Sequence, residues 1–337
     1  MKSLFIITVV YIGLYIYGQN LTNPFETEKK ESNAIIFKNN SLPVFRNDGK
    51  KLAHFYSKEL ITNYKNYQAN QVNFHIYGSV KDVKSKNQEN DSMKRINSPS
   101  EDVFIDADTA EFINLQNPVY LKNNVKMTYG NNTYLETEEC QWTKKSDIIY
   151  FPKTLTVQSG SNLIKGEKGT FNTYEKNVTI EKDIVAFFEF FEHNFKKDSK
   201  SKPRLTKLTS EGPLVYNSNF QSIKLPHFST IKNLDFTLVA DKIELYLNDE
   251  NKIQMLLAEG NVKINLIDKN VKAWCPKASI DFTDKTYNFM SIENQMPYIE
   301  MGGYRQTSNY ITYNETTEIL KAGPEVRSVK IISNSNE

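Results

Sequence analysis

The chain has few of the residues that build disulfide scaffolds and metal centres. Its 337 residues include 2 cysteines and 4 histidines. Cys140 and Cys275 are too few and too far apart to staple a small scaffold, so we expect two buried free thiols ahead of one long-range disulfide. The histidines are not spaced as metal ligands relative to one another or to the cysteines, so no metal or other cofactor is expected. The histidines are His54, His75, His193 and His227.

A strong excess of one charge is also missing. The chain has 42 Lys and Arg against 40 Asp and Glu, a net charge of +2, and these charges are scattered along it. This distribution argues against nucleic acid as a partner. The chain is not expected to be an enzyme, because it contains no nucleophile elbow, dinucleotide-binding fingerprint or zinc-protease motif. Carboxylates such as Asp106 and Asp108 alternate onto the solvent face of a predicted strand and need no catalytic role.

Long hydrophobic runs are absent except at the N-terminus. Residues 4–17 carry no charge, which suits a signal-peptide core and falls short of the roughly 20 residues of a membrane-spanning helix. Residues 1–19 therefore predict export, as a cleaved signal or a retained membrane anchor. Ile16 and Gly18 make a poor cleavage site and favour the anchor. Lys2 precedes the run, which places the N-terminus in the cytoplasm and everything after Gln19 outside.

Alternation of apolar and polar residues dominates the rest of the chain and predicts an all-β fold. It is clearest in segments 238–247, 253–257 and 262–266, which are separated by the polar segments 248–251 and 259–261. The pattern predicts three strands joined by tight turns.

The same pattern occurs again elsewhere in the chain, so we predict a repeated hairpin. Segment 106–112 followed by 119–127 matches 240–245 followed by 257–264. A hairpin with one apolar face cannot bury that face alone, so successive copies must stack. The result is a flattened roll, built as either one elongated unit or two consecutive units.

Two polar stretches suggest how the repeats are divided. Residues 84–100 predict a loop and residues 196–204 a linker. The exported part is accordingly divided into units 33–195 and 205–331.

Two layers of such hairpins enclose either a closed core or an apolar slot for a lipid. For any one inward residue, membership of an ordinary core is the more frequent outcome. As a set, the predicted inward residues form a candidate lipid site. They are Val125, Met127, Val157, Ile164, Phe171, Val178, Ile180, Leu245, Leu257, Val262 and Ile264.

A phenylalanine cluster before the predicted linker departs from simple alternation. It predicts either a mouth for acyl chains or a hydrophobic plug between the two units, and the plug is favoured. Its members are Phe187, Phe188, Phe190, Phe191 and Phe195.

Several short motifs resemble one known family. VYLKNNVKM at 119–127, its echo LLAEGNVKI at 256–264 and ADKIEL at 240–245 resemble the repeat of the OstA, LptA and LptC proteins, which form the periplasmic bridge for lipopolysaccharide export. In that repeat an L-x-G-N-V turn follows a strand that begins with A-D. The segment 42–55, behind one N-terminal hydrophobic segment, resembles the opening of the LptC branch. The resemblance covers most of 37–331. The chain is longer than one member of the family and reads as an LptC-like part followed by LptA-like repeats.

The resemblance implies a function and partners. It implies a non-enzymatic, periplasmic β-jelly-roll protein that shields the acyl chains of lipopolysaccharide or lipo-oligosaccharide in an apolar groove. It also implies docking, by strand pairing, to inner-membrane ABC-transporter subunits and to periplasmic or outer-membrane bridge proteins. The N-terminal segment would anchor it in the inner membrane, or cleavage would release it as a soluble periplasmic protein.

Two other classes of protein remain as alternatives. One is a structural or adhesive exported β-repeat protein with a closed core and no lipid site. The other, ranked last, is a β-helical carbohydrate-active enzyme, which requires a carboxylate pair projecting from one face.

Overall fold

A computed structural model describes residues 34–45, 49–63, 66–77, 102–113, 118–130, 133–144, 147–190, 205–218 and 220–330. Within these residues there are 23 strands and no helix, which confirms the predicted all-β fold. A search of the same residues finds no helix with the length and apolar character needed to cross a membrane. The predicted export segment 1–19, loop 84–100 and linker 196–204 lie outside the described residues.

Two units can be distinguished from the contacts of the chain. The first comprises Met1–Met127 and Glu139–Ser146, and the second comprises Thr128–Glu138 and Asp147–Glu337. The division into 33–195 and 205–331 stays a prediction. The strands of the first unit are β1 (Ile35–Phe45), β2 (Lys51–Thr62), β3 (Tyr67–Ile76) and β4 (Val103–Phe112). Strands β5 (Val119–Tyr129) and β6 (Thr133–Trp142) are divided between the units.

The second unit contains the remaining strands. They are β7 (Ile148–Ser159), β8 (Asn162–Asn172), β9 (Asn177–Glu189), β10 (Leu205–Ser210), β11 (Leu214–Asn217), β12 (Ser222–Leu225), β13 (Ser229–Lys232), β14 (Phe236–Ala240), β15 (Lys242–Leu247), β16 (Ile253–Leu266), β17 (Val271–Asp281), β18 (Thr286–Met290), β19 (Tyr298–Met301), β20 (Tyr304–Thr307), β21 (Tyr310–Asn314), β22 (Ile319–Ala322) and β23 (Arg327–Lys330).

The first unit is an antiparallel sheet in which β1, β2, β3 and β4 pair in chain order. Strand alternation places Phe55, Phe74 and Ile105 on one face, and all three are fully buried. The Phe74 ring packs edge-on against Trp142 with centroids 4.8 Å apart. Burial of each such side chain stabilises the fold by about 1.5–3 kcal/mol, so this face forms the core of the unit.

In the second unit, the long strands change partners halfway along their length. The first part of β16 pairs with β15 and its second part with β14, while β17 pairs with β18 near its end and with β19 near its start. Likewise β9 pairs first with β11 and then with β10. Each long strand therefore belongs to two layers and bends between them.

We name the two layers by their strands. Layer A contains β11, β12, β15, β18, β21 and β22 with residues 169–172 of β8, 177–180 of β9, 253–259 of β16 and 277–281 of β17. Layer B contains β10, β13, β14, β19, β20 and β23 with residues 154–159 of β7, 163–165 of β8, 184–189 of β9, 262–266 of β16 and 271–274 of β17.

A β-bulge in β16 marks the bend between the layers. Glu259 pairs with Lys277 and Val262 with Cys275, so β16 carries one extra residue at this point. Gly260 and Asn261 have φ angles of +75° and +46°, the left-handed conformation that bulges use. The tight turn predicted at 259–261 is therefore wrong. Residues with left-handed backbone occur both in turns, which reverse the chain, and in bulges. Here β16 continues through the bulge and bends from one layer into the other.

The bend is fixed by the same hydrogen bond in two copies of the repeat. The Asn261 side-chain amide donates to a carboxylate oxygen of Asp241 over 2.8 Å, and Asn124 donates to Asp108 over 2.7 Å. Asn124 is also left-handed, with φ +51°. The shared A-D and N-V motifs therefore encode an Asp–Asn pair at a bend, which gives the exposed Asp108 a structural role that the sequence did not reveal.

Replacing Gly260 with alanine should destabilise the bend. The added Cβ would lie 2.5 Å from a carboxylate oxygen of Asp241, at a φ angle of +75°. We expect a loss of about 2–3 kcal/mol in the free energy of unfolding, measured by urea denaturation, from backbone strain and the steric contact together. Gly303→Ala is the control, since Gly303 has φ +80° and an added Cβ there meets nothing within 4 Å. Equal losses in the free energy of unfolding of both variants would show that the contact with Asp241 does not contribute to the destabilisation.

Candidate functional site

The candidate site is the apolar space between layers A and B. Ten of the eleven residues predicted to face the interior are buried, with exposed fractions of 3% or less. The inward residues of layer A are Phe171, Val178, Ile180 and Leu245, and those of layer B are Val157, Ile164, Val262 and Ile264. Val125 and Met127 belong to the buried face of the first unit. Contact of these residues with a lipid stays a prediction.

The predicted inward orientation of Leu257 is wrong. Leu257 is half-buried, whereas Leu256 and Ala258 on either side of it are buried. Its neighbours on the adjacent strands are Glu244 and Ser279, which are also half-buried. Because strand side chains alternate between faces, Leu256 takes the inward position and Leu257 lies on the outer face of layer A.

The interior is well packed. Direct cross-strand pairs join Val157 to Ile164 and Phe171 to Val178. Cys275 is a buried free thiol in layer B, and burial raises its pKa to about 12. Cys140 is a buried free thiol of the first unit, and burial raises its pKa as well. The prediction of two buried free thiols is confirmed, and neither thiol is a nucleophile at neutral pH.

The layers are joined by bends on one side. On the other side, which we call the mouth, they meet through side chains and one isolated β-bridge between Phe190 and Ile253. Phe236 begins β14 and Phe282 follows the last residue of β17, so both lie at strand ends away from the bends. Their ring centroids are 6.1 Å apart. Phe190 packs against both rings, with centroids 4.3 Å from Phe282 and 5.6 Å from Phe236. These three rings are the mouth cluster.

Two polar contacts also hold the layers together at strand ends. The Asn162 side chain donates a 2.5 Å hydrogen bond to the Asn251 carbonyl, which links the β7–β8 turn to the β15–β16 turn. The hydroxyls of Ser159 and Tyr216 are 3.1 Å apart.

Charged residues surround the mouth cluster. Lys269 donates to Glu318 over 2.5 Å, which lowers the pKa of Glu318. The Tyr287 hydroxyl donates to Glu315 over 2.9 Å, and burial raises the pKa of Tyr287 above its usual value. Lys285 lies 3.9 Å from Glu315. The Lys269–Glu318 pair is exposed, and ion pairs of this kind contribute little to stability, so these two side chains can rearrange around an incoming polar group.

A crevice of about 80 Å³ is present at the mouth, lined by the mouth cluster and the charged residues around it. An engineered protein cavity of about 150 Å³ holds a single benzene ring, so this crevice has no room for an acyl chain. An acyl chain requires the layers to part. Among the described residues, no group of His, Cys, Asp and Glu side chains is arranged to hold a metal ion.

The phenylalanines before the predicted linker have separate positions. Phe188 is buried and Phe187 half-buried, as strand alternation requires, so these two do not break the pattern. Phe190 joins the mouth cluster, while Phe191 and Phe195 lie outside the described residues. Sequence reasoning missed Phe236 and Phe282, because each is an ordinary apolar residue beside a turn until the layers are known to meet there.

Comparisons with known proteins give a structural likeness. No protein-family model matches the chain, and no curated protein matches it. A search of solved structures finds LptH from Pseudomonas aeruginosa, described as the LptA homologous periplasmic component of the conserved lipopolysaccharide transport device. The two chains are 10% identical with a TM-score of 0.33, over 37% of this chain and 93% of that one.

Proposed function

We propose that this chain is a non-enzymatic component of lipopolysaccharide or lipo-oligosaccharide transport between the inner and outer membranes, and that it shields acyl chains between layers A and B. The proposal combines the resemblance of its repeats to the OstA, LptA and LptC proteins with the two-layered architecture of the second unit.

One observation carries the proposal. Among the described residues, the short strands pair within each layer, and the long strands pass from one layer to the other at the bends. At the mouth they meet through one isolated β-bridge, between Phe190 and Ile253, and through side chains such as Phe236 and Phe282. Parting the layers at the mouth therefore breaks this one bridge and the side-chain contacts but leaves the ladders within each layer intact, which makes opening less costly than separating paired strands.

The energetics of the cargo favour such an opening. Transfer of an acyl chain into water costs about 0.8 kcal/mol per CH₂ group, or on the order of 10 kcal/mol for a dodecyl chain. Opening the layers also exposes their apolar inward faces to water, which costs about 25 cal/mol of free energy per Å². An acyl chain inserted between them covers that area again, so both costs are offset in the same complex.

The partners follow from the strand edges. Among the described pairings β22 pairs only with β21, and β23 only with β20, and every residue of β23 is exposed. Open edges recruit further strands. We propose that they dock to inner-membrane ABC-transporter subunits and to periplasmic or outer-membrane bridge proteins. The protein would act in the periplasm, anchored by residues 1–19 or released after cleavage.

One observation favours a second function, that of a structural or adhesive exported β-repeat protein. The inward residues are almost completely buried, as in a closed core that never opens. Such a protein would carry no lipid and would be accessible to protease on intact cells.

Lipid extraction from the natively purified protein distinguishes the two functions. We expect mass spectrometry of the extract to find lipid A species at close to one per chain, and a matched exported protein of the same cells to carry none. An extract without lipid A, together with cleavage of the chain by protease added to intact cells, would support the structural protein instead.

A further inference from the structure

The outer face of the first unit carries an unusual row of ring side chains. Cross-strand pairing places His54, His75 and Phe104 side by side on β2, β3 and β4. The next row of the same face carries Tyr56. The solvent-facing side of an antiparallel sheet normally carries polar and charged residues. Ordinary alternation of the strands therefore does not account for this row of rings.

The rings are held in place by stacking. His75 lies flat against Phe104, with centroids 4.3 Å apart and planes 20° from parallel. His75 also lies 4.2 Å from the Tyr77 ring, and His54 lies 4.2 Å from Tyr56. These five side chains form what we call the ring patch.

Hydrogen bonds fix both imidazoles of the ring patch. Ser41 lies 2.8 Å from one nitrogen of His54 and the Tyr56 hydroxyl 2.9 Å from the other. His75 is 2.8 Å from Asp102. Burial lowers the pKa of His54, and Lys51 and His75 lower it further, so this ring is neutral and suited to stacking.

The rings nevertheless remain accessible. Tyr56 is 41% exposed and Phe104 is 42% exposed. Rigid, exposed aromatic surface of this kind is suited to binding, because stacking has already fixed the side chains that a ligand would otherwise have to order.

Polar groups lie directly beside the rings. Asn73 is the cross-strand neighbour of Tyr56 and donates a 2.7 Å hydrogen bond to Asp106. An amide has two N–H donors and a carbonyl acceptor, and a carboxylate accepts several hydrogen bonds. One internal bond therefore leaves the pair with both donor and acceptor capacity at the edge of the ring patch.

We propose that the ring patch is a binding site for a neutral saccharide. The apolar C–H faces of successive pyranose rings stack on Phe104 and on Tyr56, and the sugar hydroxyls exchange hydrogen bonds with the Asn73–Asp106 pair. Strand faces of other β-folds bind oligosaccharides in a similar way. The carboxylate of Asp106, which is hydrogen-bonded to the neutral amide of Asn73, disfavours a phosphorylated or otherwise acidic glycan by like-charge repulsion. The site lies outside the acyl-binding layers and does not depend on the proposed lipid function.

A glycan array tests this inference. The full chain would be applied to lipid-free neutral and acidic oligosaccharides, and the best neutral glycan titrated by calorimetry. We expect Tyr56→Ala and Phe104→Leu each to weaken binding about fivefold or more, since each removes a stacking ring. Phe104→Leu keeps the apolar bulk, and circular dichroism would verify folding. Tyr134→Ala is the control, because Tyr134 is 50% exposed and lies outside the ring patch.

The glycan-binding results either support or overturn the proposed saccharide site. Retention of a neutral oligosaccharide by the wild type and the control, with weaker binding by both ring variants, would support the site. Absence of neutral glycan binding, a preference for acidic glycans, or equal affinity in all variants would overturn it. Because the probes contain no acyl chains, none of these results bears on the lipid proposal.

Discussion

A disulfide across the mouth should abolish lipid loading. A Cβ built on Gly160 lies 3.9 Å from the Cβ of Asn251, within the range of about 3.5–4.5 Å that disulfides require. Gly160 belongs to the β7–β8 turn and Asn251 to the β15–β16 turn, so a Gly160→Cys/Asn251→Cys bridge joins layer B to layer A. With the layers locked, we expect uptake of lipopolysaccharide from micelles to fall about tenfold or more, and to recover on reduction.

Comparing the oxidised with the reduced double variant separates the effect of the disulfide from the effect of the two substitutions themselves. Both new cysteines occupy left-handed positions, with φ +60° and +61°, and that strain is the same in the two redox states. The native thiols Cys140 and Cys275 are buried with raised pKa values and do not compete for the bridge. Each single-cysteine variant, treated with the same oxidant, is the control. Equal uptake by the oxidised and reduced double variants would show that the layers do not part at the mouth.

Phe171→Ala should cause a large loss of stability. Phe171 is fully buried in layer A, and its ring centroid lies 4.9 Å from that of Tyr129. Removing the ring leaves a cavity in a packed interior, which typically costs about 3–5 kcal/mol. Urea unfolding followed by circular dichroism would measure the loss.

A second variant on the same strand shows that the loss comes from the interior. Leu163 lies on β8 with Phe171 and is 37% exposed. Leu163→Ala should cost less than about 1 kcal/mol, because most surface substitutions have small effects. If the two variants lose similar stability, the assignment of inner and outer faces is incorrect.

Much of the fold follows from alternation. The two-residue period of apolar side chains predicted the strands. It also placed Val262 and Ile264 on the correct face, because successive side chains of a pleated strand point to opposite faces. The turn predicted at 248–251 is confirmed by Asn248, whose side-chain oxygen accepts hydrogen bonds from the backbone N–H groups of Glu250 and Lys252.

The bend could not be predicted in the same way. Gly260 and Asn261 favour left-handed backbone, which serves a turn that reverses the chain or a bulge that lets it continue. Leu257 was assigned to the wrong face because a separate register shift at residues 253–255 breaks the alternation that begins at Ile253. Whether residues 260 and 261 form a turn or a bulge depends on the neighbouring strands. The two-layered architecture is a direct consequence of that choice.

The mouth cluster and the ring patch were hidden for a related reason. Phe190, Phe236 and Phe282 are brought together only by the meeting of the layers, and His75 and Phe104 only by the register of β3 and β4. Local sequence carries no information about register between strands that are far apart along the chain. Both clusters therefore become visible only in the folded protein.

Photocrosslinking in cells tests the central claim, that acyl chains lie between layers A and B. Val262 and Leu257 lie on the same strand, the former fully buried on the inner face and the latter half-buried on the outer face. A small diazirine-bearing aliphatic residue at Val262 should capture lipopolysaccharide or lipo-oligosaccharide, whereas the same residue at Leu257 should not. Capture at Leu257 alone, equal capture at both positions, or capture at neither would contradict the claim.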